Sequence, residues 1–344
     1  MFTLFSVLPF AVCLVWTVTL LLEYRKNSLP LRALTVFGLD ASLLYLCHFL
    51  HFNQLGSPVW ESIYYLCNLS VFPMYGLYVK QLTSGEALKW KNYALWLLPA
   101  LLVFLWSLSG VSSPGLVLQV VRGLFFLVSL LSALLAARDL SRYRKRVDNF
   151  YSDPEGKRLN PVLAMLCVLL STLLCSVLAN AIGRSSFEHS SLLWIPSSLF
   201  SVLLYCVFFT GTRTRSEAGK IQETPAPDKS EETLRLLMEK IQDQVVTQEL
   251  FRRKGLTIND LAEAVCSNRT YVSQCINQFC GMSFSEYVNR ERVRYATRLL
   301  DEHPETSLTD TADLSGFNER TSFYRNFKKF AGVSPGEYRP LKGR

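Results

Sequence analysis

The first two-thirds of the chain is built from apolar stretches, each long enough to cross a lipid bilayer. A transmembrane helix needs about 20 mostly apolar residues. Seven stretches qualify, separated by turn residues or clustered charges: Phe2–Leu22, Leu31–Leu50, Val59–Leu82, Tyr93–Ser109, Leu116–Ala137, Pro161–Gly183 and Leu192–Gly211. No Lys or Arg precedes the first stretch, which argues for a retained helix rather than a cleaved signal peptide. Residues 1–211 are therefore predicted to form a seven-span transmembrane helical bundle.

Positive charges between these stretches predict the orientation. Lys and Arg concentrate after stretches one, three, five and seven, with seven of them between Arg138 and Arg158. The segments on the other side contain only Arg184. Cytoplasmic loops carry the excess of Lys and Arg, so we expect a multi-pass protein of a bacterial inner membrane, with the N-terminus outside and the C-terminus in the cytoplasm.

Several ionisable residues lie within or at the ends of the predicted spans. Such residues are costly in lipid and mark candidate functional sites. One hypothesis is that some of Asp40, His48, Glu61 and Arg122 line an outward-facing site for an unknown small molecule or membrane signal, with Arg122 pairing an anion. The sequence favours the alternative, in which these residues pair with one another or extend to the interface.

A polar stretch, residues 212–228, separates the apolar part from a region with evenly distributed charges, residues 229–344. Two prolines, Pro225 and Pro227, make it a predicted linker. The helical stripe after it, which begins at Leu234, favours a core-facing helix over a dimerising coiled coil. No HExxH, P-loop or GxGxxG motif and no paired zinc ligands occur, so we expect no enzyme activity, cofactor or metal site.

Two segments of the C-terminal region share one pattern: a short helix, a tight turn and a second helix with a polar face. The first is residues 256–279, with a turn at Cys266–Asn268, and the second is residues 307–330, with a turn at Ser315–Phe317. Gly316 suits a turn that needs positive φ. In the second unit Phe323, Phe327 and Phe330 repeat on one face, which should point inward. A helix of this kind fits the major groove of DNA.

Residues 229–344 resemble the DNA-binding domain of the AraC/XylS family. The resemblance rests in the second unit on Gly316-Phe317, Phe323, Arg325, Phe327-Lys328-Lys329, Gly332, Ser334-Pro335 and Glu337-Tyr338-Arg339, and in the first on Leu256-Thr257, Leu261-Ala262, Asn268 to Ser273, Phe284, Tyr287, Arg292, Ala296 and Leu299-Leu300. It implies seven helices and two recognition helices that enter successive major grooves of double-stranded DNA. Thr311 and Asn326 depart from the family pattern, where apolar residues are usual.

The resemblance also implies which side chains meet DNA. By position these are Arg269, Thr270, Ser273 and Gln274 in the first unit and Arg320, Thr321, Tyr324, Arg325 and Lys328 in the second. RNA polymerase and a second copy of the chain are candidate partners. The expected function is a membrane-embedded one-component transcription regulator, controlled by a signal at the bundle. A transporter with a DNA-binding tail and a passive membrane anchor for a DNA-binding domain remain the alternatives.

Overall fold

The computed structural model describes residues 2–24, 28–53, 55–85, 90–167, 169–171, 194–214, 216–221 and 230–342. These residues are helical apart from turns, loops and one isolated β-bridge, so the expected all-α class is confirmed. The chain divides into two compact units. The first contains Met1–Arg142 and Leu159–Gly219, and the second contains Tyr143–Arg158 and Lys220–Arg344.

The first unit is an assembly of apolar helices. Its members are α1 (Phe2–Leu22), α2 (Leu29–Phe52), α3 (Pro58–Ser84), α4 (Trp90–Leu108), the first part of α5 (Pro114–Phe150), α6 (Asn160–Ser171) and α7 (Trp194–Arg213). Helix α1 packs on α2 and α7, α2 on α3, and α3 on α4. Side chains of α3, α4 and α5 share one buried cluster that includes Tyr65, Ala100 and Val121.

Two described helices are long and apolar enough to cross a membrane, namely Leu29–His51 and Gly115–Phe150. Shorter apolar helices occupy Val7–Leu22, Ala94–Leu108, Asn160–Ser171 and Ser201–Arg213. Most of the predicted sixth span and the start of the seventh lie outside the described residues, as do residues 215 and 222–228 of the predicted linker. The count of seven spans stays a prediction.

The second unit contains seven α-helices within residues 230–342. They are α8 (Glu231–Gln242), α9 (Ile258–Ala264), α10 (Arg269–Cys280), α11 (Phe284–Glu302), α12 (Leu308–Leu314), α13 (Arg320–Ala331) and α14 (Pro335–Lys342). Helix α8 packs on α10, and its apolar stripe, Leu234, Leu237 and Ile241, is buried. The stripe therefore faces the core, as the sequence favoured.

Long helix α11 connects the two halves of this unit. It contacts α10 on one side and α12 and α13 on the other. Around its second half lies a core cluster that joins Val293, Ala296 and Leu300 to Phe317, Phe323 and Phe327. Burying these rings, each removed almost completely from water, contributes roughly 2–3 kcal/mol per side chain.

Candidate nucleic-acid interface

The first helix-turn-helix unit is formed by α9 and α10. Thr257 caps α9 through a reciprocal pair of bonds: its Oγ1 accepts from the Asp260 amide at 3.3 Å, and Asp260 Oδ2 accepts from the Thr257 amide at 2.8 Å. The turn passes through Cys266, which has φ of 50°. Asn268 then caps α10, because its Oδ1 accepts from the Thr270 amide at 2.9 Å. These caps place the start of α10 at Arg269.

Helix α10 has a buried face and a partly exposed face. Tyr271, Val272, Cys275 and Ile276 are buried. The four predicted DNA contacts, Arg269, Thr270, Ser273 and Gln274, are all partly exposed. Phe279 is 37% exposed, because it lies in the last turn before the left-handed Gly281 that ends the helix.

The second helix-turn-helix unit is formed by α12 and α13. Ser307 caps α12, its Oγ accepting from the Asp310 amide at 3.0 Å. Gly316 in the turn has φ of 84°, as expected for this position. Phe323 and Phe327 are fully buried, and Phe330 packs at the edge of the same cluster.

The outward face of α13 carries the predicted contacts of the second unit. Arg320, Thr321, Arg325 and Lys328 are exposed, whereas Tyr324 is half-buried and packs against the core cluster. The two polar residues that depart from the family pattern are buried and satisfied. Thr311 Oγ1 donates to the Ser307 carbonyl at 2.9 Å, and Asn326 Nδ2 donates to the Ser322 carbonyl at 2.9 Å.

Charged pairs connect helices at this surface. Lys329 Nζ on α13 lies 2.6 Å from Glu286 Oε1 in the first turn of α11. The Lys329 hydrogen bond, together with bonds from Ser283, holds the pKa of the Glu286 carboxyl below its usual value. Burial raises the pKa of Asp260, but hydrogen bonds from Thr257 and the nearby Arg253 outweigh it, so that the net shift is downward.

Arg292 in α11 is a charged side chain with 0% exposure. Its Nε donates to the Phe251 carbonyl at 2.8 Å and its Nη2 to the Arg253 carbonyl at 3.0 Å. Its Nη1 lies 3.2 Å from Asp153 Oδ2. Burial lowers the pKa of Arg292, and Asp153 opposes that shift. A buried guanidinium is tolerated only when it is paired and hydrogen-bonded, so the fold of the unit around Arg292 includes Asp153.

Asp153 belongs to Tyr143–Arg158, which we call the inserted segment. It lies more than 60 residues before the rest of the second unit in sequence and contains the last turns of α5 followed by a loop with a short 3₁₀ turn at Glu155–Lys157. Sequence reasoning treated these residues only as loop charge between two spans. The one available signal was that the polar run after Ala137 continues at helical spacing, well beyond the bilayer length.

The inserted segment joins the second unit through its backbone. Ser152 N donates to the Leu256 carbonyl at 3.0 Å, beside an antiparallel bridge between Tyr151 and Thr257. The Ser152 carbonyl accepts from Asn289 Nδ2 at 2.8 Å and from Ser285 Oγ at 3.1 Å. Ser152 is fully buried, so these bonds lie inside the unit.

The same segment reaches two predicted DNA contacts. Glu155 forms an ion pair with Arg325 on α13. The Arg269 guanidinium at the start of α10 lies 5.7 Å from the centre of the Phe150 ring and donates to the Lys220 carbonyl at 3.2 Å. One arginine from each recognition helix is therefore engaged within the unit.

The four predicted sensing residues have separate surroundings. Ser70 Oγ donates to Asp40 at 2.8 and 2.9 Å, and the His48 ring packs edge-on against Tyr64 with 5.0 Å between centres. Glu61 and Arg122 are exposed. Asp40 therefore bonds to a side chain outside the four, and a ligand site at these positions stays a prediction.

Comparisons with known proteins bear on the C-terminal region. Residues 261–340 match the family described as "Helix-turn-helix domain". An uncharacterized HTH-type transcriptional regulator, YisR of Bacillus subtilis, is 36% identical over 97 residues, which cover 28% of this chain and 33% of that protein. The melibiose operon regulatory protein of Escherichia coli K12 is 33% identical over 88 residues, covering 26% and 29% respectively.

The matches cover about a third of the length of these relatives. A solved structure, that of a protein of unknown function from Listeria innocua, is 31% identical, with a TM-score of 0.28, and the match covers 30% of this chain and 95% of that one. The family match and the regulator relatives support the resemblance to the AraC/XylS DNA-binding domain. The C-terminal part of the chain is thus a helix-turn-helix domain of the kind found in transcriptional regulators.

Proposed function

We propose that this protein is a membrane-embedded transcription regulator of a bacterial inner membrane, which binds promoter DNA through α10 and α13 and responds to a signal at its apolar unit. The observation that carries the DNA-binding part is the pair of recognition helices, each with a buried apolar face and a polar outward face. Both sit on one folded unit with α11 between them. An operator with two half-elements requires two recognition helices at a fixed separation.

Exposed apolar side chains support the membrane part. Helices α4 and α5 leave many large side chains uncovered, including Leu95, Leu102, Leu127 and Leu134, each more than half exposed. Soluble monomers rarely expose large contiguous apolar patches, whereas lipid covers such side chains at no cost. Among the large apolar side chains described in the second unit, only Leu236 is more than half exposed.

Binding-site selection with the full chain in lipid nanodiscs tests the DNA-binding proposal. We expect enrichment of a duplex with two half-elements about one helical turn apart, and affinity that falls as salt rises. Recovery of no preferred duplex, both from the intact protein and from variants of the inserted segment, would contradict it.

The passive anchor is the second candidate; in it Asp40, hydrogen-bonded to Ser70, is a structural group and binds no ligand. A reporter driven by the selected duplex separates the two in cells. Output that changes with growth conditions, and that loses this change in Arg122→Ala without loss of membrane insertion, supports sensing. Output that is constant under every condition supports an anchor.

A further inference from the structure

We infer that the inserted segment, Tyr143–Arg158, is an intramolecular partner of the DNA-binding unit that masks its reading surface. This inference rests on the proposed DNA-binding function. The segment is covalently tethered at both ends to the first unit, through Arg142 and through Leu159. Yet its own contacts are with α9, α10, α11 and α13.

The docking surface is specific because it is built from buried polar groups. The Ser152 carbonyl receives two hydrogen bonds from α11, and Ser152 Oγ accepts from Arg292 Nη2 at 3.3 Å. Asp153 pairs with the fully buried Arg292 and accepts from Ser322 Oγ of α13 at 3.4 Å. Withdrawing the segment would expose Arg292 or leave it unpaired, so docking is favoured by the cost of an unpaired charge.

Docking places the segment against the residues that would read DNA. Arg325 is exposed on the outward face of α13, and its guanidinium is held by the Glu155 carboxylate. A phosphate or base edge has to displace this carboxylate before Arg325 can contact DNA. The carboxylate also adds a negative charge where a phosphate would lie, which opposes binding. At the first recognition helix, α10, the Phe150 ring covers one side of Arg269.

The device therefore has two parts with separate roles. Ser152 and Asp153 anchor the segment in the unit, and Phe150 and Glu155 occupy one arginine of each recognition helix. Apparent DNA affinity is reduced by the fraction of molecules in the docked state. A signal that moves either flanking helix, α5 or α6, pulls on the segment and raises the open fraction.

A crosslink tests docking without DNA. Residues opposite each other in an antiparallel bridge have Cα atoms about 4.5–5.5 Å apart, within the range of a disulfide. The double substitution Tyr151→Cys and Thr257→Cys should therefore form a disulfide when the full chain in nanodiscs is oxidised. Neither single substitution should form the corresponding linked peptide. Failure of the double variant to crosslink would overturn the docking.

DNA affinity of the same preparation tests masking. The oxidised double variant should lose binding to the selected duplex, and reductant should restore it. Glu155→Gln leaves the Ser152 and Asp153 anchor in place but frees Arg325, and it should bind DNA up to about tenfold more tightly than the native chain if roughly nine-tenths of the molecules hold the Glu155–Arg325 pair. Asp148→Asn is the matched control, because it removes the same charge from the same segment but frees Arg158, its 2.7 Å partner, instead of Arg325.

Three results are decisive. Equal effects of Glu155→Gln and Asp148→Asn would reduce masking to general electrostatics and overturn it. Equal DNA affinity of the oxidised and reduced double variant would overturn masking while leaving the proposed function intact. Absence of duplex preference in every variant, oxidised or reduced, would remove the proposed function and the masking together, although the crosslink would still report docking.

Discussion

Gly316 holds the turn of the second helix-turn-helix unit in a backbone conformation that other residues rarely adopt. Its φ is 84°, and a Cβ at this position would lie 2.5 Å from the Arg252 carbonyl oxygen. The contact is with backbone, which cannot rotate away as a side chain would. In the folded state this contact adds to the strain that positive φ causes in a residue with a side chain.

Gly316→Ala is therefore expected to lower the free energy of unfolding of the second unit by about 2 kcal/mol or more. Faster amide exchange in α11, α12 and α13, measured by mass spectrometry on the full chain, reports this loss. Gly336→Ala is the control, because a Cβ there meets no atom within 4 Å and the backbone is not left-handed. Similar exchange in the two variants would contradict the steric account.

Glu286 makes the stability of the second unit depend on pH. Its pKa is lowered from 4.5 by Lys329 at 2.6 Å and by the cap at Ser283. A carboxyl with a lowered folded-state pKa stabilises the fold at pH values above its unfolded value, and this contribution is lost as the pH falls through the lower folded value. The urea midpoint of the C-terminal helices should thus fall below pH 4.5 more steeply in the native chain than in Glu286→Gln. Because the pair is half exposed, the expected difference is below about 1 kcal/mol, and parallel pH curves would contradict the coupling.

At the scale of elements, the two helix-turn-helix units follow from local rules. Thr257, Asn268 and Ser307 each accept an amide hydrogen bond from two or three residues on, and α9, α10 and α12 begin directly after them. The buried aromatic repeat in α13 sets its inward face. Short-range chemistry of this kind can be predicted from the sequence, because every partner lies within four residues.

Two residues of α13, Arg320 and Lys328, are expected to have different roles: the first contacts a base and the second a phosphate. Arg320 begins the helix and Lys328 lies two turns later, both exposed. We expect Arg320→Ala to cost about 1–3 kcal/mol on the selected duplex and to relax preference at one position. Lys328→Ala should weaken binding to all duplexes alike and reduce the slope of affinity against salt by about one.

Arg235→Ala in α8 is the control for both, since it removes an equal charge from the partner of Glu231. Titrations of the full chain on matched and mismatched duplexes at several salt concentrations distinguish the three variants. A uniform loss from Arg320→Ala would show that this residue contacts phosphate and not a base.

At the scale of the whole molecule, the contacts of the inserted segment could not be predicted from the sequence. Ser152, Asp153, Pro154, Glu155 and Gly156 have the composition of a solvated loop. What makes them part of the DNA-binding unit is a set of partners more than 100 residues away, such as Asn289 and Arg292. Arg292 could be identified as one of several arginines on α11, but its burial depends on that distant carboxylate. No local pattern encodes such a pair.

The contacts of the inserted segment and the proposed orientation together constrain the membrane topology. Because the segment contacts the DNA-binding unit, both must lie on the same side of the membrane, and the DNA makes that side the cytoplasm. Alkaline phosphatase, which folds only outside the cytoplasm, should be inactive when fused after Lys145 or at the C-terminus, and active when fused after Ser57 in the loop between α2 and α3. A fluorescent protein at the same sites should give the reverse pattern. Phosphatase activity after Lys145 with an inactive C-terminal fusion would place the segment across the bilayer from its contacts, and would exclude both the orientation and the masking.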